Sequence, residues 1–150
     1  LGGESKADFL ECMRKGILRE ETENAVLPGL SGGIADAKHT RKIMTEAPVL
    51  IVVLNSNGKN PFEAVDIESR FTEIFDTLSI GASIENMLLK ADELGLGTLW
   101  IANTCYAYEE LTEYLGTNKQ LVGAIALGYA DEEPQQRPRK AMEDIVEYRL

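Results

Sequence analysis

The apolar positions along the chain follow two kinds of pattern. Between residues 5 and 20, Phe9, Leu10, Met13, Ile17 and Leu18 recur at intervals of three and four, which predicts a helix with one buried stripe. Residues 24–33 hold Pro28, Gly29, Gly32 and Gly33 and predict a loop. Ser31 or Asp36 then caps a helix running to about Glu46. Pro48 ends that helix, and the unbroken apolar run from Val49 to Leu54 predicts a strand covered on both faces. Residues 55–61 form a turn-rich loop. A longer helix is predicted with Asp76 as its N-cap, a stripe of Ile80, Ile84, Met87, Leu88, Ala91 and Leu94, and Gly95 as its C-cap. Gly81, Ala82 and Ser83 keep its early turns slim, suiting an ordinary core helix or one packed against a second subunit. Thr98–Ala102 and Leu121–Leu127 read as strands, with Gly123 marking a close approach. Between them Tyr108–Leu115 reads as a helix closed by Gly116. Pro134 and Pro138 make 130–139 extended, and from Lys140 onward the chain suits a short helix or an edge strand. Helices alternating with buried strands indicate an α/β or α+β layered fold. With no internal repeat and no boundary, residues 1–150 read as a single domain.

Composition narrows the function classes. The chain has 15 Lys+Arg against 25 Asp+Glu, a net charge of −10, which disfavours phosphate backbones and anionic membranes as partners. Its longest apolar run is far short of the ~20 residues a membrane helix needs. The opening Leu1-Gly2-Gly3-Glu4 has no apolar core of a signal peptide. The 2 cysteines, Cys12 and Cys105, suit free thiols in a reducing cytosol or a single bridge. The 1 histidine, His39, leaves no multi-histidine metal site. Glu109 and Glu110 read as a solvated helix face.

Two stretches suggest binding chemistry. In Glu93-Leu94-Gly95-Leu96-Gly97-Thr98-Leu99-Trp100-Ile101-Ala102-Asn103, a helix ends at two glycines and feeds a strand bearing the lone tryptophan. The strand's exit at Trp100, Ile101, Ala102 and Asn103 offers backbone groups beside a flat indole, suited to a planar ligand's edge. It equally suits a tight turn with a core tryptophan. In the second stretch, Arg137, Arg139 and Lys140 are three cations within four residues, stiffened by Pro134 and Pro138. Arginine forks grip phosphate oxygens. A solvated cluster paired with Asp131, Glu132 and Glu133 is the alternative. No side chain stands out as a catalytic acid, base or nucleophile, and no metal site is evident.

Four blocks together, in order and spacing, resemble the nitroreductase family of FMN-dependent oxidoreductases. They are Ala47–Val53, Asp76–Ala91, Glu93–Ile101, and Ala126–Ala130 with Pro134 and Arg137–Lys140. The resemblance covers roughly residues 40–148. It implies an α+β fold, a three-layer α/β/α sandwich with a mostly antiparallel sheet. It implies a cytoplasmic homodimer built on the helix from Asp76, with FMN at the interface. NAD(P)H would be the co-substrate, and a nitroaromatic, a quinone or a similar small molecule the electron acceptor. Trp100, Ile101, Ala102 and Asn103 would meet the isoalloxazine edge, and Arg137, Arg139 and Lys140 the FMN phosphate. The family's Arg-rich opening segment and its Pro-Ser-x-x-Asn-like segment do not occur here. The resemblance therefore implies an N-terminally truncated family domain lacking half of the FMN pocket. A non-catalytic dimeric remnant of a flavoenzyme is the alternative reading.

Overall fold

The computed structural model describes every residue except Glu133, Gln136, Arg137 and Leu150. Its elements are α1 (Gly3–Arg19), α2 (Ile34–Glu46), β1 (Val49–Asn55), α3 (Ile67–Glu93), β2 (Leu96–Ile101), α4 (Tyr108–Leu115) and β3 (Gln120–Tyr129). Single 3-10 turns occupy Pro28–Gly33, Asn103–Ala107 and Met142–Asp144.

The strands form an antiparallel sheet in the order β1-β3-β2. Alternation along each strand separates two faces. Leu50, Val52 and Leu54 of β1, Ala124 and Ala126 of β3, and Leu99 and Ile101 of β2 pack into one core with Phe9, Leu10, Met13 and Ile17 of α1, Ala37 and Met44 of α2, and Leu111 of α4. The opposite face carries Ile51, Ile125 and Trp100, and α3 lies against it. The result is three layers with α1, α2 and α4 on one side and α3 on the other, in line with the sequence pattern. Phe9, Met13 and Ile17 are almost wholly buried, so truncating any of them to alanine leaves a cavity costing about 2–5 kcal/mol. Lys6 ties α1 to the end of α2, donating to the Thr45 carbonyl at 2.8 Å and the Ala47 carbonyl at 2.5 Å. Gly116 closes α4 in the left-handed conformation at φ 60°, where only glycine sits without strain.

Four expectations need correction. The long helix starts at Ile67 and not near Asp76. Its cap is Asp66, which accepts the Ser69 N–H at 2.7 Å. The added turns carry Ile67, Phe71, Ile74 and Leu78, which share a side of the helix roughly 100° round from Ile84. They face solvent, so no stripe continuous with Ile84 announced them. Only Ile84 and Ala91 of α3 are fully buried, and Met87 and Leu94 are exposed. Second, β1 is not covered on both faces: Val49 is exposed and Ile51 and Val53 only half-buried, because α3 lies chiefly over β2. Third, Gly33 is the N-cap of α2, with Asp36 in its first turn and Ser31 inside the preceding 3-10 turn. Fourth, Glu110 is not merely solvated.

Glu110 takes two hydrogen bonds from the Arg19 guanidinium, the shorter at 2.8 Å. Arg19 also pairs with Glu20, whose side chain is 1% exposed. The Glu20 carboxylate in turn accepts the Val26 and Leu27 N–H groups at 3.0 and 2.8 Å. Burial pushes the Glu110 carboxyl up, but the Arg19 hydrogen bond outweighs it and holds the pKa below the usual 4.5. A carboxylate depressed on folding contributes stability above its unfolded pKa and loses it as pH falls through the folded one. Arg19→Ala removes the shared cation and leaves Glu20 buried with only backbone donors. The expected loss is about 3 kcal/mol at neutral pH, a Tm decrease of roughly 6–12 °C for a domain of this size. That difference should shrink as pH drops below 4.5. Thermal melts at pH 7 and pH 4 check both points, and an equal Tm for variant and parent at pH 7 would dismiss the network.

Candidate functional site

The exit of β2 is shaped by its neighbour. In β3, Gly123 pairs with Val53 and Leu121 with Leu54, so Val122 is an extra residue in a bulge. Bulges bend a strand and re-aim the side chains next to them. Beside the bulge, a Cβ on Gly123 would lie 2.5 Å from the Ile101 carbonyl oxygen and 3.8 Å from the Trp100 Nε1. The absence of that Cβ lets the end of β2 close onto β3.

At this exit Ile101 points into the main core, 2% exposed, while Trp100 points to the α3 side and remains 44% exposed. The tip of its indole reaches α3 at Gly81, where a Cβ would sit 3.8 Å away. Ala102 is exposed and its carbonyl accepts the Cys105 N–H at 3.2 Å. Asn103 is anchored: its Nδ2 donates to Asp36 Oδ2 at 2.8 Å and to Thr40 Oγ1 at 3.1 Å. Asp36 and Thr40 stand four apart on one face of α2 and hold the turn after β2 in place. No sequence signal announces this anchor, since its partners are more than sixty residues from Asn103. Among the described residues, β2 has no strand on the edge away from β3. Its outward N–H and C=O groups are free to bond the edge of a flat ligand.

The predicted cations stand apart from this exit. Tyr129, the last residue of β3, pairs with Leu96, at the opposite end of β2 from Ile101. Arg139 and Lys140 are exposed on the segment beyond it, and Arg137 lies outside the described residues. Burial pushes the Cys105 thiol up, away from the reactive thiolate, and Cys12 and Cys105 are both free. Asp76, the cap expected from sequence, sits inside α3 with a buried Oδ2 that has no hydrogen-bond partner in the structure. No helix among the described residues is long and apolar enough to cross a membrane.

Known proteins share this arrangement. The chain is 30% identical over 85 residues to an NADPH-flavin oxidoreductase of Vibrio harveyi, a match covering 54% of this chain and 35% of the relative. It thus matches about a third of the length of that curated relative. A solved variant of an FMN- and NADPH-dependent nitroreductase from Sphigopyxis sp. strain HMH superposes with a TM-score of 0.70 at 18% identity, covering 99% of this chain and 76% of that one. A nitroreductase with bound FMN from Bacteroides fragilis superposes at 0.56 with 20% identity, covering 98% and 71%. These similarities establish the nitroreductase-like fold. The model of the nitroreductase family itself matches residues 3–129, from α1 through the last strand, and the chain therefore belongs to that family.

Proposed function

We propose that this chain carries the flavin-holding half of an FMN-dependent oxidoreductase that takes electrons from NAD(P)H. Its acceptors would be nitroaromatics, quinones or similar small molecules. The observation behind this is the exit of β2, where an unpaired sheet edge meets a partly exposed tryptophan. Bound FMN would supply the redox chemistry, taking a hydride from NAD(P)H and giving two electrons to the acceptor. This chain's residues would bind and orient. Backbone groups at Trp100–Asn103 would hold the ring edge, with Asn103 fixed from α2. The indole of Trp100 would exclude water from one side of the ring. Arg137, Arg139 and Lys140 would hold the phosphate. The ten residues from Tyr129 to Arg139 can span about 33 Å when extended, ample for the roughly 17 Å length of β2. The chain would act in the cytoplasm, consistent with its free thiols.

The functional unit we infer is a homodimer. Ile67, Phe71, Phe75 and Leu78 of α3 are each more than half exposed, and Gly81-Ala82-Ser83 lets a second backbone approach. Such a stripe is unusual on a monomer. It extends the interface predicted at Asp76 by a further stretch of helix.

Flavin content tests the reading: heat release, identification and stoichiometry against protein. About one FMN per chain, followed by NAD(P)H oxidation, is the expected result. No flavin after incubation with excess FMN would leave the non-catalytic dimeric module as the reading for this chain. The double variant Arg137→Ala, Arg139→Ala should bind FMN at least ~100-fold more weakly, since each charge-assisted contact contributes about 1.5–3 kcal/mol. Unchanged affinity in a fluorescence titration would remove these residues from the phosphate site.

A further inference from the structure

A groove of about 220 Å³ lies between α1 and α2, lined by Arg14, Ile17, Leu18, Lys38 and Arg41. Three of its five lining side chains are cationic, in a chain whose net charge is −10. Two of the cations have carboxylate partners: Arg14 with Glu11 at 2.6 Å, and Lys38 with Glu21 at 2.6 Å. The Arg41 guanidinium has neither a hydrogen bond nor an ion pair among the described residues, although it is only partly exposed. A guanidinium carries five N–H donors in a planar fork. Withdrawing it partly from water without a carboxylate leaves that fork open to an external anion. The apolar side of the groove is Ile17, buried, and Leu18, 44% exposed.

From this combination we propose that the groove binds a small organic anion with an apolar body, a carboxylate on a short chain or ring. The carboxylate would meet Arg41, flanked by Arg14 and Lys38, and the hydrocarbon would lie on Ile17 and Leu18. Glu11 and Glu21 are occupied by their own partners and border the site. The size of the groove decides against a peptide. From Arg14 to Leu18 is four residues, about 6 Å of helix, whereas a docked helical peptide needs anchors over two turns. The site is separate from the exit of β2: Asp36 and Thr40, which hold Asn103, lie on one flank of α2, and Lys38 and Arg41 lie about 100° or more further round.

Backbone amide NMR titrations of the full chain with octanoate, octanamide and inorganic phosphate test the proposal. Octanoate should shift amides at 14–18 and 38–41 saturably, and octanamide and phosphate should bind at least about tenfold more weakly. R41Q should weaken octanoate about tenfold or more without changing the shifts at 100–103. Leu18→Asn, at an exposed position, should weaken octanoate but leave phosphate unchanged, and this keeps the proposal falsifiable should R41Q fold poorly. Equal octanoate affinity in R41Q, phosphate binding as tight as octanoate, shifts confined to 100–103, or no saturable binding would each overturn it.

Discussion

Gly123→Ala should lower FMN affinity at least about tenfold while lowering Tm by roughly 3–10 °C. The added Cβ would stand 2.5 Å from the Ile101 carbonyl oxygen. That neighbour is backbone, so it cannot swing aside as the end of a long side chain would. Either β3 retreats or the end of β2 lifts. Overpacking of this kind costs about 1–3 kcal/mol, and each kcal/mol moves Tm by about 2–4 °C in a domain of this size. The functional consequence is local. Ile101 and Trp100 carry the backbone proposed to meet the flavin edge, and a few tenths of an ångström there spoils hydrogen-bond geometry on both groups. Gly29→Ala is the control, because a Cβ at Gly29 meets nothing within 4 Å. Calorimetry and a flavin fluorescence titration read the two effects separately. A Gly123→Ala protein that melts early yet binds FMN as the parent does would show that the flavin edge lies elsewhere. An unchanged Tm would contradict the close approach itself.

Gly123 also shows which parts of the molecule were legible in the sequence. A glycine inside an apolar strand run is a local signal, and the structure places a backbone oxygen against it. The same holds for α4, where Tyr108 to Leu115 and the following Gly116 fall where the pattern puts them. Legibility failed where the cause was not local. Asn103 is fixed by Asp36 and Thr40 on another element. Arg19 meets Glu110, 91 residues away, so a carboxylate that reads as solvent-facing becomes half of an ion pair. The apolar run of β1 reports only that water is disfavoured on both faces. It does not say whether this chain covers them, and on the Val49 side it does not. The first turns of α3 escaped for a related reason: their stripe serves a surface that no described residue covers. The cationic segment was visible as a cluster, but its place relative to Trp100 depends on the path of an extended chain, which composition does not encode.

That uncovered stripe leads to the other large expected effect. Phe75→Glu combined with Leu78→Glu should convert a dimer into a folded monomer of 16.5 kDa. Phe75 and Leu78 are 62% and 68% exposed in the isolated chain, so the substitutions disturb no intrachain packing and far-UV circular dichroism should be unchanged. In a two-fold dimer each substitution occurs twice. Burying an uncompensated carboxylate in an apolar contact costs several kcal/mol per group, and losing a large anchor costs about 2–4 kcal/mol more. A dissociation constant raised by about a thousandfold or more is a conservative sum. Sedimentation velocity at micromolar concentration reads the mass directly. The flavin responds differently under two architectures. If the cations of one copy serve the β2 exit of the other, FMN affinity collapses with the dimer. If each chain serves itself, the monomer keeps a measurable share of it. A variant that remains dimeric would move the interface off α3, and the exposed apolar side of β1 around Val49 would be the next surface to charge.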